Sequence, residues 1–144
     1  MICSKEKGAC TMGLFGKKSE VIKEFRVVYY EGSLPGIISD DALKISAEGE
    51  FLVIDDLANH NQVKLRLDKI YGIEIYTEKT YMEKYKGNAP LTGGKKDFYV
   101  FHYLTKDNIE KRFDLCDVSA KTMGEIAKLV KIVQKNAKPK TYEI

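Results

Sequence analysis

The side chains best suited to chemistry lie between residues 79 and 96, where lysines are interleaved with tyrosines. Lysine ammonium groups attract phosphates and acidic headgroups, and tyrosine rings favour an interface between apolar and aqueous surroundings. The pattern predicts a loop that faces an anionic partner or an anionic membrane surface. The alternative is a solvated loop whose tyrosines lie on the body of the protein, and Glu78 and Glu83 favour it by diluting the positive charge. The candidate site residues are Lys79, Tyr81, Lys84, Tyr85, Lys86, Lys95 and Lys96.

Residue types that are typical of catalytic and metal sites are isolated from one another in the sequence. His60 lies in a polar turn, His102 lies in an aromatic run, and Cys116 has no histidine near it. A zinc site needs a full set of His or Cys ligands, and a nucleophilic cysteine needs a base. Residues 93–96 lack the glycine spacing and the Ser or Thr of a phosphate-binding loop. We therefore predict that the chain is not an enzyme and takes no metal and no cofactor.

Composition narrows the partners and the compartment. The net charge of +3 is mild, which argues against a nucleic-acid partner. No apolar window approaches the ~20 residues of a membrane span, and no secretory leader is recognisable. Cys3, Cys10 and Cys116 have neither disulfide-framework nor metal-site spacing, which fits a reducing compartment. We expect a cytoplasmic protein.

Alternation of apolar and polar residues predicts seven strands between Phe25 and Leu115. The run Asp97–Leu104 is apolar or aromatic on both of its faces. All connections are short except residues 80–96, which form the longest predicted loop. Short connections imply antiparallel pairing, and closure of the sheet would remove its exposed edges. The expected fold is mainly β, a seven-stranded antiparallel barrel or sandwich.

The apolar run at residues 34–38 leaves two interpretations open. It is either an exposed contact for a partner or lipid, or a segment that enters the core where the next strand begins. The proline at position 35 interrupts it in both cases.

A C-terminal helix follows the strands, because apolar residues recur there at helical spacing. Lys121, Lys128 and Lys135 occupy the opposite face. An amphipathic helix at this place is expected to cap the open end of the sheet. The predicted apolar stripe is Met123, Ile126, Ala127, Val130 and Val133.

The predicted domain covers residues 19–136, with a disordered leader over residues 1–18 and a tail over residues 137–144. Residues 1–11 show no periodicity, and Met12 begins a segment that resembles a natural start. Two interpretations of residues 1–11 remain: an untranslated leader read as protein, or a genuine disordered tail.

The order of seven strands and one helix resembles bacterial pleckstrin-homology-like (PH-like) and GRAM-like domains over residues 25–136. The segment from Val63 to Ile75 is similar to the turn these domains share, in which an isoleucine precedes a small residue and a second isoleucine. Here these are Ile70, Gly72 and Ile73. The resemblance implies that Ile70 fills the core where the chain turns a corner.

The resemblance also implies a binding or assembly role, since PH-like domains recognise lipids, bind peptides or self-assemble. Phosphoinositide-binding members carry basic residues around the first hairpin loop. Residues 31–41 hold Glu31, Asp40 and Asp41 and no Lys or Arg, which departs from that pattern. We predict a non-enzymatic binding or self-assembly module whose partner is an unidentified protein or a second copy. The alternative is a peripheral sensor of anionic membranes that uses the basic loop at residues 79–96.

Overall fold

The computed structural model describes residues 22–91 and 95–136, and within them it contains seven strands, two helices and one 3₁₀ turn. The predicted leader (1–18) and tail (137–144) lie outside the described residues. The 3₁₀ turn, Leu67–Lys69, joins the fourth and fifth strands. The strands are β1 (Phe25–Gly32), β2 (Ala42–Glu48), β3 (Phe51–Asp56), β4 (Gln62–Arg66), β5 (Ile70–Thr77), β6 (Asp97–Leu104) and β7 (Glu110–Asp117). The helices are α1 (Glu78–Tyr85) and α2 (Ala120–Asn136).

All seven described strands form one antiparallel sheet in the order β4-β3-β2-β1-β7-β6-β5. The predicted mainly-β fold with a C-terminal helix is confirmed, and it is consistent with a PH-like sheet-and-helix arrangement. The expected closure into a barrel is wrong: within the described residues no pairing joins β4 to β5. Lys64 and Arg66 on the short β4 are charged residues of the kind that protect an open edge.

The sheet carries a core on each face. The larger core contains residues from every strand, such as Leu65 of β4 and Phe101 of β6, together with the apolar side of α2. A smaller core lies on the opposite face, where Tyr81 of α1 packs on Phe98 and Val100 of β6. This second core explains why β6 is apolar on both faces.

Helix α1 corrects the prediction of a long loop at residues 80–96, because its eight residues begin before that stretch and take up a third of it. The Thr77 hydroxyl accepts a hydrogen bond from the Thr80 amide at 3.3 Å and so caps the helix. Glu78 and Lys84 lie in the first and last turns, where each charge suits the helix dipole. Sequence reasoning gave more weight to the glycines and proline that follow than to this capping signal.

Helix α2 confirms the predicted amphipathic element but changes its apolar stripe. Ile126 and Val133 are buried as expected, and Met123 and Val130 pack against the core. Ala127 is exposed, whereas Leu129, which was not assigned to the stripe, is completely buried. The buried face is therefore rotated toward Leu129.

Two local features shape the end of the sheet that receives the β4–β5 corner. Ile70 is buried in the core directly after the 3₁₀ turn, the place that the resemblance implied. Gly32 has φ +136°, and a Cβ there would lie 2.5 Å from the Cα of Phe113. Only glycine fits so close an approach, which lets β1 end against β7 and direct residues 33–35 across this end of the sheet.

Candidate functional site

The structure distributes the seven predicted site residues over different environments. Lys79 and Lys95 are exposed, Lys96 is partly buried, and Tyr81 is completely buried on the sheet. Tyr85 is half-buried and packs on Tyr81 with ring centroids 5.3 Å apart. These two tyrosines therefore lie on the body of the protein, as the alternative interpretation expected.

Lys86 and Tyr81 belong to a charged network between α1 and the sheet. Lys86 Nζ lies 2.7 Å from Glu31 Oε1, and the Arg112 guanidinium lies 3.6 Å from the other oxygen of that carboxylate. Arg112 Nε is also 3.1 Å from Asp114 Oδ1, while the Tyr81 hydroxyl donates to Asp114 Oδ2 at 2.5 Å. Asp114 is 0% exposed, and this burial raises the pKa of its carboxyl even though Tyr81 and Arg112 act to lower it.

Glu74 of β5 is the centre of the second part of this network. Its Oε1 accepts from the Tyr85 hydroxyl at 2.8 Å and lies 3.0 Å from His102 Nε2, and Lys84 Nζ is 3.7 Å from its Oε2. Partial burial acts to raise the pKa of Glu74, but the hydrogen bonds from His102, Tyr85 and Tyr76 outweigh it and lower that pKa to about 2. Each acid here already has a base or a hydroxyl beside it, so the network holds α1 on the sheet.

Cys116 does not have the environment of a reactive thiol. It is buried in the smaller core, and this burial raises the pKa of its thiol to about 11. A thiol with that pKa is almost entirely protonated at neutral pH and is a poor nucleophile. Within residues 22–91 and 95–136, no group of three or more His, Cys, Asp or Glu is placed to hold a metal ion.

An apolar cleft lies at the end of the sheet that receives the β4–β5 corner. Its volume is about 680 Å³, within the ~300–1,000 Å³ range of small-molecule sites. The Tyr103 hydroxyl donates to the Ser33 carbonyl at 2.7 Å and so fastens β6 to the β1–β2 connection along one wall. The apolar lining residues are Leu34, Pro35, Phe51, Val63, Leu65, Tyr103 and Leu104.

The cleft resolves the two interpretations of the apolar run at residues 34–38. Leu34 and Ile37 are buried in the larger core, so most of the run enters the core. Leu34 and Pro35 also line the cleft, whereas Ile38 is 64% exposed beyond it. The run thus serves the core and the cleft wall together.

The rim of the cleft is positively charged. The fourteen described residues that line it include five basic residues and no acidic residue. Such a rim attracts an anion and repels a cation. The basic residues are Lys64, Arg66, Lys69, Lys106 and Lys111.

Three of the five basic groups have partners outside the cleft. Lys64 lies 3.5 Å from Glu48, Arg66 is bound by Glu50 and Asp68, and Lys69 donates to Asn108 at 3.1 Å. Lys106 and Lys111 form no ion pair or hydrogen bond within the described part of the chain.

Comparisons with known proteins add no relative. A scan against protein-family models finds no match to this chain, and a search of curated protein sequences finds none either. Within the described ranges, neither helix is long and apolar enough to cross a bilayer. The functional argument therefore depends on the geometry of the cleft.

Sequence reasoning identified only the Leu34–Pro35 wall of this cleft. The other walls come from β3, β4, β6 and the turn after β6, which are far apart in the chain. The one local signal is the concentration of lysines around the β6–β7 turn, at positions 106 and 111. Without the sheet order, that signal cannot be distinguished from ordinary surface charge.

Proposed function

We propose that this chain is a non-enzymatic binding module of PH-like type and that it holds its ligand in the apolar cleft. The observation that carries the proposal is a cleft of small-molecule size, apolar inside and basic at its rim. Ligand sites commonly combine an apolar lining with a few polar groups that orient the ligand. The satisfied network under α1 and the protonated thiol of Cys116 support a role without catalysis.

A neutral, environment-sensitive dye such as Nile red tests this proposal. The unmodified protein is expected to bind it with a saturable, blue-shifted emission. Val63→Glu should weaken that binding roughly tenfold, because a carboxylate in the cleft wall disfavours an apolar ligand. Val63 is half-buried at a sheet edge, so the variant is expected to fold.

Val118→Glu is the matched control, since it makes the same substitution at an exposed position that does not line the cleft. Its dye affinity should equal that of the unmodified protein, with the circular dichroism of all three proteins unchanged. A folded protein with no saturable emission, or equal losses in both variants, would remove the cleft as the binding site.

Self-assembly is a second candidate, and the edge strand β5 favours it. β5 ends the sheet and exposes Tyr71 and Ile75. An unpaired edge with apolar side chains is a surface on which a second copy can add a strand. Sedimentation equilibrium of the unmodified protein and of Ile75→Lys separates this candidate from the first, because only an edge-to-edge dimer is disrupted by that change.

The membrane-surface alternative has weaker support. Lys84 and Lys86 already pair with Glu74 and Glu31, which reduces the charge available to lipid headgroups. Lys79 and Lys95 remain exposed. Each exposed lysine contributes about 1 kcal/mol near an anionic leaflet, so two of them give weak binding that added salt should abolish.

A further inference from the structure

The rim of the cleft selects among apolar ligands by charge. Lys111 lies opposite Tyr103 in the β6–β7 ladder. Directly opposed residues in an antiparallel pair share one face of the sheet, so Lys111 extends from the face whose Tyr103 lines the cleft. Lys106 lies in the turn between the same two strands and also lines the cleft.

Three features of the cleft restrict its occupant. The interior is apolar, which excludes inorganic phosphate as a complete ligand because such an ion leaves the apolar walls unused. The volume of about 680 Å³ suits a single small molecule and not the surface of a bilayer. A second copy of the chain docked symmetrically would bring two basic rims together, since an isologous interface places the same patch on both sides.

We propose that the cleft binds a single-chain amphipathic anion of the fatty-carboxylate class, with its chain against Leu34, Leu65 and Tyr103 and its carboxylate at Lys106 and Lys111. This assignment rests on the proposed function and names the ligand class of the same site. The lysines supply charge at the mouth, while the walls supply apolar contact.

Displacement of Nile red measures the assignment with three probes of equal chain length: dodecanoate, dodecanol and dodecyltrimethylammonium, each kept below its micelle concentration. Dodecanoate should bind about tenfold more tightly than dodecanol, since two exposed ion pairs together give roughly that factor. The cationic probe should bind most weakly. Decanoate and tetradecanoate should differ from dodecanoate by about fourfold per methylene.

The double variant Lys106→Gln/Lys111→Gln should lose the tenfold preference for dodecanoate and keep the dodecanol affinity. Lys79→Gln/Lys95→Gln is the matched control, because it removes the same charge from exposed lysines that do not line the cleft. The control should retain the full preference.

Three outcomes overturn the assignment, and each has a different meaning for the proposed function. Equal affinity for dodecanoate and dodecanol removes the anion assignment but leaves an apolar binding module. Failure of all three probes to displace a dye that does bind removes the single-chain class. If the protein binds vesicles rich in anionic lipid but neither the dye nor monomeric dodecanoate, the proposed function fails with it and the membrane-surface alternative takes its place.

Discussion

Replacing Leu129 with aspartate is expected to unfold the domain. Leu129 is 0% exposed and packs in the larger core with Ile126 and Val133 of the same helix. An unpaired carboxylate at that position costs at least about 4 kcal/mol, a large part of the ~5–15 kcal/mol that stabilises an ordinary domain. Urea denaturation followed by circular dichroism measures the loss.

Ala127→Asp is the matched control for that experiment, because it places the same charge two residues away on the exposed side of α2. It should cost about 0.5–1 kcal/mol, the difference in helix propensity between the two residues. The pair also compares the structure with the sequence pattern, which assigned Ala127 to the buried stripe. Unfolding by Ala127→Asp together with tolerance of Leu129→Asp would contradict the docking of α2 described above.

Replacing Asp114 with alanine is expected to destabilise the domain by about 3 kcal/mol, or roughly 10 °C in Tm. The change leaves the buried Tyr81 hydroxyl without its acceptor and deprives the partly exposed Arg112 of one of its two carboxylates. Tyr81→Phe is the companion variant, since it removes a single hydrogen bond and leaves the Arg112 pair in place. It should cost about 1–2 kcal/mol, and a larger loss than that of Asp114→Ala would contradict the described network.

The effect of Asp114 on stability should also vary with pH in a fixed direction. Because burial raises the pKa of this carboxyl above its ordinary 3.8, the folded protein holds the proton more tightly than the unfolded chain. The stability that this proton supplies is complete below pH 3.8 and is lost as the pH rises through the folded pKa. The difference in unfolding free energy between the unmodified protein and Asp114→Ala should therefore decrease from pH 3 to pH 7. An increase over that range would reverse the assigned direction.

The strands were predictable because each has a local pattern of its own. The alternation along β4 and β7, and the two apolar faces of Asp97–Leu104, depend on neighbouring residues alone. β6 coincides with the predicted run, and its second apolar face indicated that something covers the outer side of the sheet. That cover is α1, whose capping residue Thr77 was the available signal.

The cleft could not be predicted because it depends on which strands are neighbours. Leu34 and Tyr103 meet there from positions 69 residues apart, and Val63 comes from the opposite edge region of the sheet. The predicted cluster of lysines and tyrosines failed as a single surface for the same reason. Glu31 and Glu74, on separate strands, neutralise Lys86 and Lys84, and no local pattern records those pairs.

A titration of the ¹⁵N-labelled protein with dodecanoate, followed by ¹H–¹⁵N correlation spectra, tests the central claim most directly. Binding in the cleft should shift the amide signals of Leu34, Val63, Leu65, Leu104 and Lys111 and leave those of α1 unchanged. The shifts should saturate, and Val63→Glu should weaken them. An absence of shifts, or shifts confined to residues 79–91 of the lysine-rich segment, would contradict the claim that the basic-rimmed cleft is the binding site.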